Sequence, residues 1–238
     1  MSRINVMQPW LGEEEVEAVS EVIRSGWVAQ GPRVAAFEEA FAASQHAEHA
    51  VATSNCTTAL HLALVVAGVG AGDDVVVPSF SFIATANAPT YVGARPVFCD
   101  VDAETGNVTA QTVAAALTDR TRAVIVVDQG GVPVDLDPIR ALCDPRGIVV
   151  VEDAACAAGS TYRGRPVGAG AEIAAWRSVI RTLKPISSYT SGGASTCACR
   201  SAAETLIACS RSRRARAAQS AREVVIIPPS PVVMILRG

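Results

Sequence analysis

Lysine is almost absent from this chain: of 238 residues only Lys184 carries an ε-amine. Histidine is nearly as scarce, at positions 46, 49 and 61. The seven cysteines (56, 99, 143, 156, 197, 199 and 209) are odd in number, scattered, and without paired C-x-x-C spacing. That pattern excludes a disulfide framework and leaves reduced thiols. Cys197 and Cys199 stand too close for a usual metal pair, so no metal site is expected. No run approaches the roughly 18 apolar residues of a membrane span, and no basic, apolar leader opens the chain. The expectation is a cytoplasmic protein that does not engage a membrane. No internal repeat is present.

What is there is a globular composition. Half of the residues are hydrophobic, and 238 residues suffice for one large domain or two small ones. The net charge of −3 hides a split. Residues 1–176 carry 10 basic and 21 acidic side chains, whereas 177–238 carry 10 basic and 2 acidic. The tail also holds three of the cysteines and the cluster Arg211-Ser-Arg-Arg-Ala-Arg216. A basic tail of this kind binds nucleic acid or acidic surfaces, or it is an unevolved stretch such as a shifted reading frame produces. The absence of helical or strand period favours the second, so no nucleic-acid partner is expected. The boundary between the two parts falls near Trp176.

Before that boundary, helical and strand patterns alternate. Helices are expected over Glu13–Ser25, Val34–Ala43, Ala59–Ala67, Phe82–Tyr91, Thr109–Leu117 and Leu136–Cys143. Strands are expected at Ala50–Thr53, Asp74–Pro78, Arg95–Asp100, Ala123–Val127 and Ile148–Val151. Apolar strands alternating with helices predict an α/β fold, three layers deep (α/β/α), around a mainly parallel sheet.

Ligands bind beyond the carboxyl ends of such strands, and four segments lie there. Ser54-Asn-Cys-Thr-Thr58 joins a strand to a helix; it either surrounds a phosphate or is an ordinary N-cap. Pro78-Ser-Phe-Ser-Phe82 places two aromatic rings past a strand, for core packing or for stacking on a flat ligand. Asp128-Gln-Gly-Gly-Val-Pro133 is a glycine turn, and Glu152-Asp153-Ala-Ala-Cys156 puts carboxylates at a strand end. Lys184 follows Asp153 by 31 positions. An amine that forms a Schiff base and a carboxylate that keeps a pyridine nitrogen protonated are the two anchors of pyridoxal phosphate chemistry.

Taken together, these segments resemble the DegT/StrS family of pyridoxal-phosphate-dependent sugar aminotransferases, over about residues 5–176. The likeness is carried by Ser25-Gly-Trp-Val-Ala-Gln-Gly-Pro-Arg33 with Phe37-Glu-Glu-Ala-Phe41, by Gly72-Asp-Asp-Val-Val-Val-Pro-Ser-Phe80, by Gly93-Ala-Arg-Pro-Val-Phe-Cys-Asp-Val-Asp102 and by Val151-Glu-Asp-Ala-Ala155. It implies the large domain of a fold-type I enzyme, truncated here, and a homodimer. The implied cofactor is pyridoxal 5′-phosphate; the implied substrates are a nucleotide-linked keto sugar and an amino-acid donor such as glutamate.

By position, the resemblance implies that Thr57 and Thr58 contact the cofactor phosphate, Thr58 through its backbone N–H. Phe82 would stack on the pyridine ring, Asp153 would pair with its nitrogen, and Lys184 would be the Schiff-base lysine and general base. Cys156 stands where the family usually has His or Gln near the phenolic oxygen, and Asp128 where histidine is common. After Trp176 the likeness breaks: the expected Ser-Phe-His motif is missing and Lys184 comes a few residues late. Family members also continue through more of the sheet and a small C-terminal domain. The expectations are therefore a 1–176 domain with an unpaired sheet edge, and an aberrant 177–238 tail. Three functional alternatives remain open: an impaired aminotransferase, a non-catalytic remnant that binds a phosphate ligand or pairs with an intact homologue, and a nucleic-acid module built on the tail. A sugar dehydratase of the same superfamily would carry histidine in place of the lysine.

Overall fold

Apolar residues at period two make strands and those at three-to-four spacing make helices, so the sequence pattern translates into layers. The computed structural model describes residues 11–177 and the main chain of 232–236. The first half contains α1 (Glu13–Ser25), α2 (Pro32–Ser44), β1 (His49–Thr53), α3 (Cys56–Val66), β2 (Asp74–Pro78), α4 (Ala84–Tyr91) and β3 (Arg95–Cys99). The second contains α5 (Ala110–Ala116), β4 (Thr121–Val127), α6 (Leu136–Cys143), β5 (Val149–Asp153), β6 (Thr161–Tyr162), β7 (Arg165–Pro166), β8 (Ile173–Arg177) and β9 (Val232–Leu236).

Element ends follow local chemistry. In α1, Glu13, Glu14 and Glu15 occupy the positive end of the helix dipole, and Glu15 accepts the Gly12 N–H at 2.6 Å. Gly26, at φ 74°, closes it. The helix expected from Ala59 begins instead at Cys56, because the Asn55 side chain caps the Thr58 N–H. The helix expected from Phe82 begins at Ala84, which leaves the Phe82 ring on the preceding loop.

Seven strands form one sheet in the order β1-β9-β8-β5-β4-β2-β3. β3, β2, β4, β5 and β8 are mutually parallel, and β9 runs antiparallel to both β8 and β1. The sheet is thus mainly parallel, with helices on both faces. On one face, Val75, Val77, Ile125 and Val151 pack under Leu60 and Leu64 of α3 and Ala88 of α4. On the other, Val76, Val124, Val126 and Val150 meet Val113 of α5 and Leu136 and Ile139 of α6. Beside this second cluster, Phe37 and Phe41 of α2 cover Trp176 of β8. The Phe41 and Trp176 rings meet edge to face at 5.7 Å, a contact of about 0.5–1.5 kcal/mol beyond area burial.

One expectation is corrected here. The sequence predicts an unpaired edge where the sheet stops, but β8 is paired on both sides, with β5 and with β9. The reason is in the tail: five extended residues at 232–236 enter the slot between β8 and β1 and satisfy both ladders. The outer strands of the sheet are β1 and β3. No helix among the described residues is long and apolar enough to cross a membrane.

Candidate active site

All parallel strands end on one side of the sheet, and the segments singled out in the sequence are the ones that leave them. β1 ends at Thr53, β2 at Pro78, β4 at Val127 and β5 at Asp153. The topology therefore gathers residues 54–58, 79–83, 128–133 and 154–156 at one edge.

Asp153 is the centre of this edge. It is only 6% exposed. Its Oδ1 accepts the Ala155 N–H at 3.1 Å and the Cys56 thiol at 3.7 Å, and its Oδ2 accepts the Thr85 hydroxyl at 3.4 Å. Thr85 is in turn paired with Ser81 at 2.8 Å. Cys56 and Thr85 belong to the first turns of α3 and α4, so both positive helix ends lie beside the carboxylate. Burial pushes the Asp153 carboxyl up to about 6, against the opposing pull of these donors. The Cys56 thiol is driven upward by its own burial and then by the Asp153 charge, so it stays protonated and donates.

Thr57 and Thr58 sit in the first turn of α3. The Thr58 N–H, expected to meet a phosphate, donates instead to Asn55 Oδ1 at 2.8 Å. Its hydroxyl contacts the same oxygen at 3.1 Å and Ser54 Oγ at 3.2 Å. The N-cap reading of this segment is thus realised, and an incoming anion has to compete with Asn55 for that amide. Phe82 is 77% exposed, a flat apolar face. Phe80 lies on the same loop, and Gln129 donates to its carbonyl oxygen, tying the loop after β2 to the loop after β4. Cys156 is exposed and close enough to Cys56 to act on its titration. Lys184, the Arg211–Arg216 cluster and the three tail cysteines lie outside the described residues.

The fold thus brings Asp153 together with the α3 and α4 first turns, and it puts Thr57, Thr58, Phe82 and Cys156 on the same edge. Sequence reasoning missed Thr85 and the role of Cys56. The available signal was positional: each is a small polar residue in the first turn of a helix that follows a strand end. A separate groove of about 240 Å³ lies between α1 and the start of α2, lined by Trp27 and Arg33 among others; it does not include Asp153. No group of three or more His, Cys, Asp or Glu among the described residues could hold a metal ion.

Known proteins share this architecture. The sequence profile of the DegT/DnrJ/EryC1/StrS aminotransferase family matches residues 9–221. The chain is similar to an aminotransferase from Psychrobacter cryohalolentis, with 40% identity and a TM-score of 0.70, covering 73% of this chain and 45% of that one. The aminotransferase TlmJ from Streptoalloteichus hindustanus gives 37% identity and a TM-score of 0.76, covering 99% of this chain and 54% of that one. The putative sugar aminotransferase Spr1654 from Streptococcus pneumoniae, in its PMP-form, gives 30% identity and a TM-score of 0.72, covering 75% and 49%. This chain spans about half the length of the structures it matches.

Proposed function

The chain belongs to the DegT/DnrJ/EryC1/StrS aminotransferase family, and from that premise we propose that it carries the cofactor-holding part of an aminotransferase site for pyridoxal 5′-phosphate. The substrates proposed are a nucleotide-linked keto sugar and an amino-acid donor such as glutamate, in a cytoplasmic homodimer. The proposal includes the division into a 1–176 domain and a 177–238 tail, the tail lending residues 232–236 to the domain's sheet. One observation carries it: a buried carboxylate, Asp153, at a strand end between the first turns of α3 and α4.

The residues present fit such a group. A carboxylate held in a buried site by weak donors gains most from a cationic N–H partner, and a protonated pyridine nitrogen is one. When bound, the cofactor supplies an electron sink for charge released at a substrate α-carbon. Asp153, ionised, would be the residue that keeps the ring nitrogen protonated. Thr57 and Thr58 would meet the phosphate at the positive end of α3, Thr58 through the backbone N–H that now donates to Asn55. Phe82 would offer the ring an apolar face, and Cys156 would stand near its phenolic oxygen. Lys184 would be the amine that anchors the cofactor and the base for proton transfer at the α-carbon.

A second reading, cofactor binding without turnover, is favoured by the Thr58 N–H already donating to Asn55. The test is an absorbance scan of the purified chain with added pyridoxal phosphate, before and after borohydride, with peptide mapping. A visible-edge band that reduces onto Lys184 supports the aminotransferase site. A reversible complex without a reduced adduct supports the second reading, and no binding at all removes both.

A further inference from the structure

Behind Asp153, on the other face of the sheet, lie two carboxylates that the cofactor site does not use. Val126 of β4 is level with Glu152 of β5, and Val127 with Asp153. Side chains alternate along a strand, so Glu152 points away from Asp153, and Asp128, two residues past Val126, shares its face. Both acids are buried: Asp128 is 0% and Glu152 2% exposed. Asp128 Oδ1 accepts the Val134 N–H at 2.9 Å, and Glu152 Oε2 accepts the Gly168 N–H at 3.1 Å. Asp128 Oδ2 meets no donor, although Glu152 lies within hydrogen-bond reach of Asp128.

Two ionised carboxylates side by side have only acceptor oxygens, and burying both charges uncompensated is very costly. One proton between them turns one acid into the donor that the other needs. Asp153 adds further like charge at Asp128. We infer that Asp128 and Glu152 share a single proton and form a latch that fastens the 129–134 loop and the turn at Gly168 onto the end of β5. The latch reaches the site through two contacts. Asp128 donates its N–H to the Asp153 carbonyl at 3.1 Å, and Gln129 holds the Phe80 carbonyl. Burial and then the Glu152 charge raise Asp128 well above its ordinary value, and burial raises Glu152 to about 7. Below about pH 7 both acids therefore hold protons. The one-proton latch is the state from neutral pH upward, and it is released as the shared proton leaves at higher pH.

The test needs no cofactor, so it stands or falls apart from the aminotransferase reading. Infrared spectra of the full chain at pH 8 are expected to show the carbonyl stretch of a protonated carboxylic acid, lost in Asp128→Asn. Amide exchange, corrected for its intrinsic pH dependence, is expected to show Val134 and Gly168 losing protection about tenfold or more between pH 6 and pH 10 in the wild type. Asp128→Asn, which donates without titrating, should keep that protection at both pH values. Absence of the protonated band at pH 8, or its persistence in Asp128→Asn, overturns the inference. So does wild-type protection that does not change with pH, a result that requires no variant to fold.

Discussion

Replacing Asp153 by Asn should stabilise the protein above neutral pH while removing the charge proposed to hold the cofactor. The folded-state carboxyl is raised from 3.8 to about 6 by burial. A raised acid contributes stability that is fully present below its unfolded value and lost as pH climbs through the folded one. A rise of that size corresponds to about 3 kcal/mol lost between pH 4 and pH 6 and still missing at pH 8. Asn carries no charge to desolvate, and its oxygen can still accept the Ala155 N–H that Asp153 Oδ1 accepts at 3.1 Å. Its amide then faces Thr85, whose hydroxyl can turn to accept. Allowing for imperfect geometry, the variant should gain about 1–3 kcal/mol at pH 8 and nothing near pH 4. Urea unfolding followed by tryptophan fluorescence at both pH values measures this through the midpoint at constant m. Added pyridoxal phosphate should then stabilise the wild type and not the variant. A stability difference of the same size at pH 4 and pH 8, or a destabilised variant at pH 8, would refute the reasoning.

Gly168→Ala should cost about 2–4 kcal/mol, because φ is +84° and the new Cβ would sit 2.8 Å from the buried Trp176 ring; the urea midpoint reads it, and an unchanged midpoint counts against this packing. Asp74 is held below the usual carboxylate range by Arg95, then Thr118. Its contribution is present above pH 4 and lost on acidification, so Asp74→Asn should lower stability at pH 7 and flatten the acid limb of a stability–pH curve. Asn55→Ala should cost about 1 kcal/mol through loss of the cap on Thr58. The same variant frees an amide at the α3 N-terminus, so inorganic phosphate should protect it against urea more than it protects the wild type; equal protection argues against an anion site there.

Most elements were legible in the chain because their signals are local. Val75, Val76 and Val77 between turns can only be a buried strand, and Gly26 ends α1 because its backbone turns left-handed. The carboxylate of the site was legible for the same reason, since a strand end in a parallel sheet is a known place to look. Its partners were not. Cys56 and Thr85 lie 97 and 68 positions from Asp153 in sequence, and no local period says that the first turns of α3 and α4 meet the end of β5.

The sequence by itself determined the layers and the place of Asp153 at a strand end, because periodicity, caps and turns act over a few residues. Tertiary structure alone decided that Asn55 claims the Thr58 amide before any phosphate can, that Asp128 and Glu152 face one another behind the site, and that residues 232–236 run antiparallel between β8 and β1. Each of those outcomes depends on strand register and on which helix covers which face, and register is settled by packing between segments far apart in the chain.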